Sequence, residues 1–569
     1  MITLAPKTLP DDVPLNLLPA TLPEILHGDQ SQASPANSLV TDDALQSDTR
    51  SNPEDLSGKD TSGTESTSPE QAPIPGSRVL RDPETAIAAL DLQPTPDNPD
   101  HCQPTVVGII DAGITFWNPV FRDDRSTAAC RFDTIGALSD GPAGAVSNTI
   151  LDAAAIATML ATDDHEIRKQ LAVAFPDSIF GDTSPVPLFG PEGLAHGTAM
   201  ADLVQEFAQD HIRFHGLELP VAVLRDLTGG QMSAIMNTAL NAIVAQAASS
   251  PALVNKTFNM IVLMAFGFTG GPQDGTAEIL GPVEATLSYL RTININVTLV
   301  LPVGNQLQDQ LHARLEQGGN VGWRVLPDDH SVNTVEIIQD VFSAALQITA
   351  PNGDQVALPS VPGLFGLHQD GRPIGAVWSK EINGERLRTR ISLAPTAASR
   401  LGPFPAPFGR WSFSSATADA KLWILRDETG FEASLSQPAR ASWFEDDAYR
   451  AGDETGYPLL EDPQLGAPST VRRDGAASLL ATSASPEVVV VSANHGSTQP
   501  AFYASQKPPA AQNFVTVDLA SAGNDDSPSD ALPIGCFIGR AVLGNAGPRR
   551  FRIAGTSLAA AIHAGRLAV

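Results

Sequence analysis

Cysteine is scarce in this chain: three residues among 569, Cys102, Cys130 and Cys536. An odd number at no metal-ligand spacing excludes a disulfide framework and a cysteine-built metal site, and points to buried or surface thiols; one disulfide, Cys102 with Cys130, is the alternative, which nothing in the sequence indicates. Long apolar runs are missing too. Nowhere do about 18 apolar residues follow one another, the length that a membrane-crossing helix needs, so no membrane partner is expected. The first dozen residues lack a basic stretch followed by an apolar core, so no secretory leader is visible. Together with the cysteine usage, this predicts a cytoplasmic location. Positive charge is in short supply as well: 35 Lys and Arg face 64 Asp and Glu, a net charge of −29. Such a surface repels phosphates, which excludes nucleic acid as a partner. There is no internal repeat.

What is present is enough apolar residue, 42%, to bury a sizeable core, in a chain long enough for roughly two to four domains. Residues 1–100 hold 17 acidic against 5 basic side chains. Within them, 28–76 is rich in Ser, Thr, Asp, Glu, Gln, Pro and Gly and is expected to be disordered, because it cannot bury enough surface to offset its ordering entropy. The apolar islets at 13–19 and 22–26 read as a loosely packed tail, or as segments that dock on a partner or on the chain's own cleft. From Thr105 the pattern changes. Apolar runs at 106–110, 221–224, 260–264 and 297–301 predict buried strands, and 231–246 and 282–291 predict helices between them. Strands alternating with helices imply a parallel sheet with helices on its faces. Between 325 and 430, short strands near 335–338, 345–348, 390–393 and 421–425 are separated by turn residues such as Asn352-Gly353 and Asn383-Gly384. They predict a small antiparallel β-sandwich. Buried-strand character returns at 488–491 and 514–517.

Three short stretches far apart in the chain carry the chemistry: Gly108-Ile109-Ile110-Asp111-Ala112-Gly113, His196-Gly197-Thr198-Ala199-Met200-Ala201 and Gly555-Thr556-Ser557-Leu558-Ala559. Asp111 ends a buried strand. His196 opens a helix whose Ala199, Met200, Leu203, Val204 and Phe207 recur at helical spacing. Ser557 follows a glycine and starts an alanine-rich helix. A serine nucleophile needs a neighbouring base, and the base needs a carboxylate to orient it. Each residue taken alone has an ordinary structural explanation: a turn aspartate, a core histidine, a serine helix cap.

In the order Asp, His, Ser, with these flanks, the chain resembles the subtilisin-like serine peptidases (subtilases, peptidase family S8). The resemblance covers roughly 100–310 and 480–569. It implies that Asp111 orients His196, that His196 is the general base, and that Ser557 attacks the scissile carbonyl to give an acyl-enzyme. It also implies that Asn305, in Leu301-Pro302-Val303-Gly304-Asn305, donates to the oxyanion together with the backbone N–H of Ser557. Ala265, Phe266 and Gly267 are similar to the family's substrate-pairing strand, with Pro302, Val303 and Gly304 beside the specificity pocket. The expected fold class is α/β, a subtilisin-like parallel sheet flanked by helices with an inserted antiparallel β-sandwich. The expected domains are an acidic, largely disordered segment (1–100), a catalytic domain in two parts (101–324 and 476–569), the sandwich (325–430) and a connector (431–475). No cofactor is needed; structural calcium occurs in the family, but no ligand cluster here indicates it. The chain departs from the family in three places. Asp111-Ala112-Gly113 replaces Asp-Thr-Gly, no proline follows Ser557 in its helix, and only twelve residues follow Ser557. The expected function is a serine endopeptidase acting on protein or peptide substrates, latent until a regulatory partner such as an ATPase activates it. The alternative is a catalytically silent interaction protein on the same fold.

Overall fold

A computed structural model describes residues 1–7, 77–80, 82–90, 103–122, 130–140, 146–180, 196–209, 211–225, 229–340, 346–382, 384–397, 404–416, 419–426, 440–463, 469–495, 499–519, 540–543 and 550–569. The segment expected to be disordered (28–76), the islets at 13–19 and 22–26, Cys102 and Cys536 lie outside the described residues.

One sheet of nine strands carries the site. Across it lie Ser77–Leu80, Val146–Asp152, Phe132–Asp140, Phe214–Glu218, Thr105–Asp111, Phe258–Met264, Ile295–Pro302, Val488–Asn494 and Asn513–Asp518. The last seven run parallel, whereas Val146–Asp152 pairs antiparallel with both of its neighbours. Thr105–Asp111 is buried along nearly its whole length because both faces are covered. Val107 and Ile109 pack on one side, beneath His196–Phe207 and Thr556–Leu567. Val106 and Ile110 pack on the other, beneath Gly230–Ala248 and Leu280–Thr292, as the alternation of a strand requires.

Residues 312–472, joined at one edge by Ile2–Lys7, build two further sheets around a core of their own. One has eight strands, in the order Ile2–Lys7, Gly363–Gln369, Arg372–Ile382, Arg386–Leu393, Asn333–Asp340, Ala420–Leu425, His312–Leu315, Val471–Arg472. The other has five: Gln355–Ala357, Gln347–Thr349, Gly409–Ser414, Asn320–Val325, Trp443–Glu445. Trp323, Trp411 and Phe413 of the smaller sheet meet Val335, Leu367 and Ile391 of the larger in one apolar core. A fourth sheet pairs Arg540–Leu543 with Arg550–Ile553.

These sheets correct the expected fold class. Among the described residues the chain is not an α/β protein with a parallel sheet flanked by helices; antiparallel pairing predominates. Three of the four sheets they form are antiparallel throughout, and the nine-stranded sheet begins with an antiparallel edge. The physical reason lies in pairings between distant segments, such as Ile2–Lys7 with Gly363–Gln369, which local periodicity does not encode. A second correction concerns 221–224. The predicted strand is a short helix, Val221–Arg225, launched by Pro220, whose carbonyl accepts from Val223 and Leu224. The strand that borders Thr105–Asp111 is Phe214–Glu218 instead.

Candidate active site

Asp111 sits at the carboxyl end of its strand and is fully buried. Its Oδ1 accepts the N–H of Ala112 at 2.7 Å. The turn that follows is held from two sides. Gly113, with φ of 73°, and Ile114 donate their N–H groups to the Glu218 carboxylate at 2.9 and 2.5 Å. The carbonyls of Ala112 and Gly113 accept from Gly197 and Thr198, the first residues after His196 (2.8 and 3.2 Å). Gly197 makes this approach possible. A Cβ there would stand 2.7 Å from Ile114 Cγ1 and 3.0 Å from the Ala112 carbonyl.

The approach delivers His196 to Asp111: Nδ1 lies 2.9 Å from both carboxylate oxygens. Burial alone would depress the imidazole pKa. The charge of Asp111 and the hydrogen bond to it outweigh burial, so the pKa is raised above the ordinary value. The ring leans on Phe266, with centroids 5.4 Å apart.

Ser557 lies in the first turn of Thr556–Leu567 and opens into the same pocket, a cavity of about 220 Å³ that also reaches His196 and Asn305. Its Oγ donates to the Ala265 carbonyl at 3.0 Å rather than to His196. Asn305 follows Gly304, whose φ of 114° suits a residue without a side chain. Its Oδ1 accepts from both the backbone N–H and the hydroxyl of Thr556 (2.9 and 3.0 Å). The carbonyl side of the amide is thereby fixed, leaving Nδ2 as its donor. Of the other residues singled out in the sequence, Ala265, Phe266, Gly267, Pro302 and Gly304 line this pocket. Val303 does not. It is buried behind the wall, donating to Val491 and accepting from Ser478.

Sequence reasoning missed Glu218, Thr556 and the pocket residues Val223, Leu224, Met232, Phe268 and Ser478. Thr556 was legible in principle, as the neighbour of a helix-opening serine. Glu218, in Leu217-Glu218-Leu219, carries no local sign of burial. Among the described residues, no group of three or more His, Cys, Asp or Glu side chains is arranged to hold a metal, and no helix is long and apolar enough to cross a membrane.

The described architecture has a solved counterpart. It is a protease. The structure of the CspB protease of Clostridium perfringens superposes with a TM-score of 0.51 over 81% of this chain and 80% of that one, at 13% identity. At that identity the likeness is one of fold. No family model matches the chain, and no curated protein matches it.

Proposed function

We propose that this chain is a serine endopeptidase of the subtilase type. The observation that carries the reading is the bond of His196 Nδ1 to both oxygens of a buried carboxylate, in a pocket shared with Ser557 and Asn305. Asp111 fixes the imidazole with Nδ1 protonated, which leaves Nε2 as the base. Ser557 attacks the scissile carbonyl while His196 takes its proton. The Asn305 amide and the Ser557 backbone N–H stabilise the oxyanion. His196 then protonates the leaving amine, and water releases the acyl-enzyme. Each step uses side chains and backbone of the chain itself.

One observation favours a resting state. The Ser557 hydroxyl is engaged with the Ala265 carbonyl. A peptide laid along Ala265–Gly267 offers that carbonyl a backbone N–H and releases the hydroxyl to His196. On this reading the chain is latent until substrate, or a regulatory protein such as an ATPase, resets the segment. A fluorophosphonate probe tests the chemistry. Wild type is expected to label and Ser557→Ala not to, and a wild type that never labels under any activating condition leaves only a silent interaction protein. Constitutive cleavage of casein by the purified full chain would remove latency while leaving the hydrolase in place.

A further inference from the structure

Glu218 is wholly buried on the strand next to Asp111, and its two carboxyl oxygens accept the N–H groups of Gly113 (2.9 Å) and Ile114 (2.5 Å). Those N–H groups belong to the peptide units 112–113 and 113–114. The carbonyls of the same two units, on Ala112 and Gly113, accept from the N–H groups of Gly197 (2.8 Å) and Thr198 (3.2 Å). The Thr198 hydroxyl adds a second bond to the Gly113 carbonyl at 2.6 Å. Each peptide unit is gripped at both ends, by Glu218 at its N–H and by the start of the His196 helix at its carbonyl. Because a peptide unit is planar, a hold on its N–H sets the direction of its C=O. Bonds linked in this way also polarise one another. The hold matters at this turn, since Gly113, with φ of 73°, has a backbone that no side chain restrains.

We propose that Glu218 is a positioning residue for the reaction: it aims the two peptide carbonyls on which the His196 helix docks, and so holds the imidazole against Asp111. This rests on the hydrolase reading above. Glu218 is not among the described residues that line the pocket, so it acts through the turn and touches no reacting atom. Burial keeps its carboxyl protonated up to about pH 8, so at neutral pH its loss takes little charge from the imidazole. Burial depresses the His196 pKa, and the charge of Asp111 and the hydrogen bond to it raise it by more. A His196 titration that moves down therefore reports a loosened bond to Asp111.

The test compares the full-length chain with Glu218→Ala and Glu218→Gln. Alanine leaves both N–H groups without an acceptor, and glutamine offers one acceptor oxygen where glutamate has two. Turnover of a fluorogenic peptide is normalised to sites labelled to completion by a fluorophosphonate, so that loss of folded protein does not count. NMR of protein carrying isotope-labelled histidine follows the His196 ring through pH and needs no turnover. Glu218→Ala is expected to lower kcat by roughly tenfold or more with KM within about twofold, and to bring the His196 titration down towards that of an ordinary histidine. Glu218→Gln is expected to do both to a smaller degree. A residue that only supports the fold would reduce the number of labelled sites and leave kcat per site and the titration in place; either one unmoved overturns the proposal. If Glu218→Ala does not fold, Glu218→Gln decides by the same two readings. A wild type that labels while both variants match it refutes the positioning and leaves the hydrolase standing. One that never labels refutes the hydrolase, and the titration alone then decides the positioning.

Discussion

Glu218 pairs in register with Asp111 on the neighbouring strand, so two carboxylates end side by side at the edge of the sheet. Burial lifts the Glu218 pKa from its ordinary 4.5 to about 8, against the pull of the Ile114 and Gly113 N–H groups and with some help from the charge of Asp111. The folded state therefore holds a proton that the unfolded chain releases. The stability this contributes is fully present below about pH 4.5 and is lost as pH rises towards 8. Glu218→Gln cannot titrate, so urea unfolding of wild type relative to this variant is expected to show a stability difference that shifts against wild type from pH 5 to pH 8. A difference that is flat across that range would count against the assignment. Under the proposed mechanism, Asn305 acts on the reaction instead. Asn305→Ala is expected to lower kcat by about 10²–10³ with little change in KM, as the loss of an oxyanion donor does. Equal losses in binding and turnover would argue that the amide serves the fold, through Thr556. That Asp111, His196, Ser557 and Asn305 are candidates to meet was legible because each stands within two residues of a glycine at the end of a buried strand or the start of a helix. Glu218 was not, because the sequence around it is equally that of a half-exposed strand.

The loop that follows the pocket wall is gripped by the larger antiparallel sheet. Thr269 donates its hydroxyl to the Ile424 carbonyl at 3.0 Å, and Gly271 lies against the Trp423 ring so closely that a Cβ would overlap it. Gly271 also donates its N–H to Glu336 Oε1 at 3.1 Å. The other Glu336 oxygen is held by Arg388 and Arg390, each at 2.7 Å through Nε. Burial alone would raise the Glu336 pKa; the two guanidinium charges outweigh it and keep the carboxylate ionised below its usual range. Glu336→Ala removes the buried carboxylate that two largely buried guanidinium groups share. It is expected to cost about 3–5 kcal/mol in urea unfolding and, where the protein remains folded, to raise KM more than it lowers kcat. Unchanged stability would mean that the arginines find other partners. At this scale the sequence revealed separate elements better than their assembly. Gly230–Ala248 and Leu280–Thr292 were legible from periodicity, and Asn333–Asp340 and Ala420–Leu425 from short apolar runs bounded by turns. Several pairings, such as Ile2–Lys7 with Gly363–Gln369 and Ile295–Pro302 with Val488–Asn494, join segments nearly two hundred or more residues apart.

A net charge of −29 sets a field around the whole molecule. For a hydrolase, cationic peptides would be drawn to the surface and anionic ones held off, and salt screens both effects, over about 10 Å at 0.1 M. Kinetics across ionic strength are therefore expected to show kcat/KM falling with salt for a cationic peptide and rising for an anionic one. The same slope for both would locate the relevant charge away from the pocket. The path of the chain has a consequence of another kind. Between the Val303 carbonyl and the Ser478 amide, which meet at 2.8 Å, run all strands of the two larger antiparallel sheets except the edge strand Ile2–Lys7. The hydroxyl of Thr556 reaches Gly304 from farther still along the chain. Closing so long a detour costs entropy that grows only slowly with its length, but contacts this distant in sequence form late. Ser478 and the serine that opens into the pocket are thus expected to be among the last parts assembled. On the hydrolase reading, a half-folded copy would have no cutting edge to turn on its neighbours.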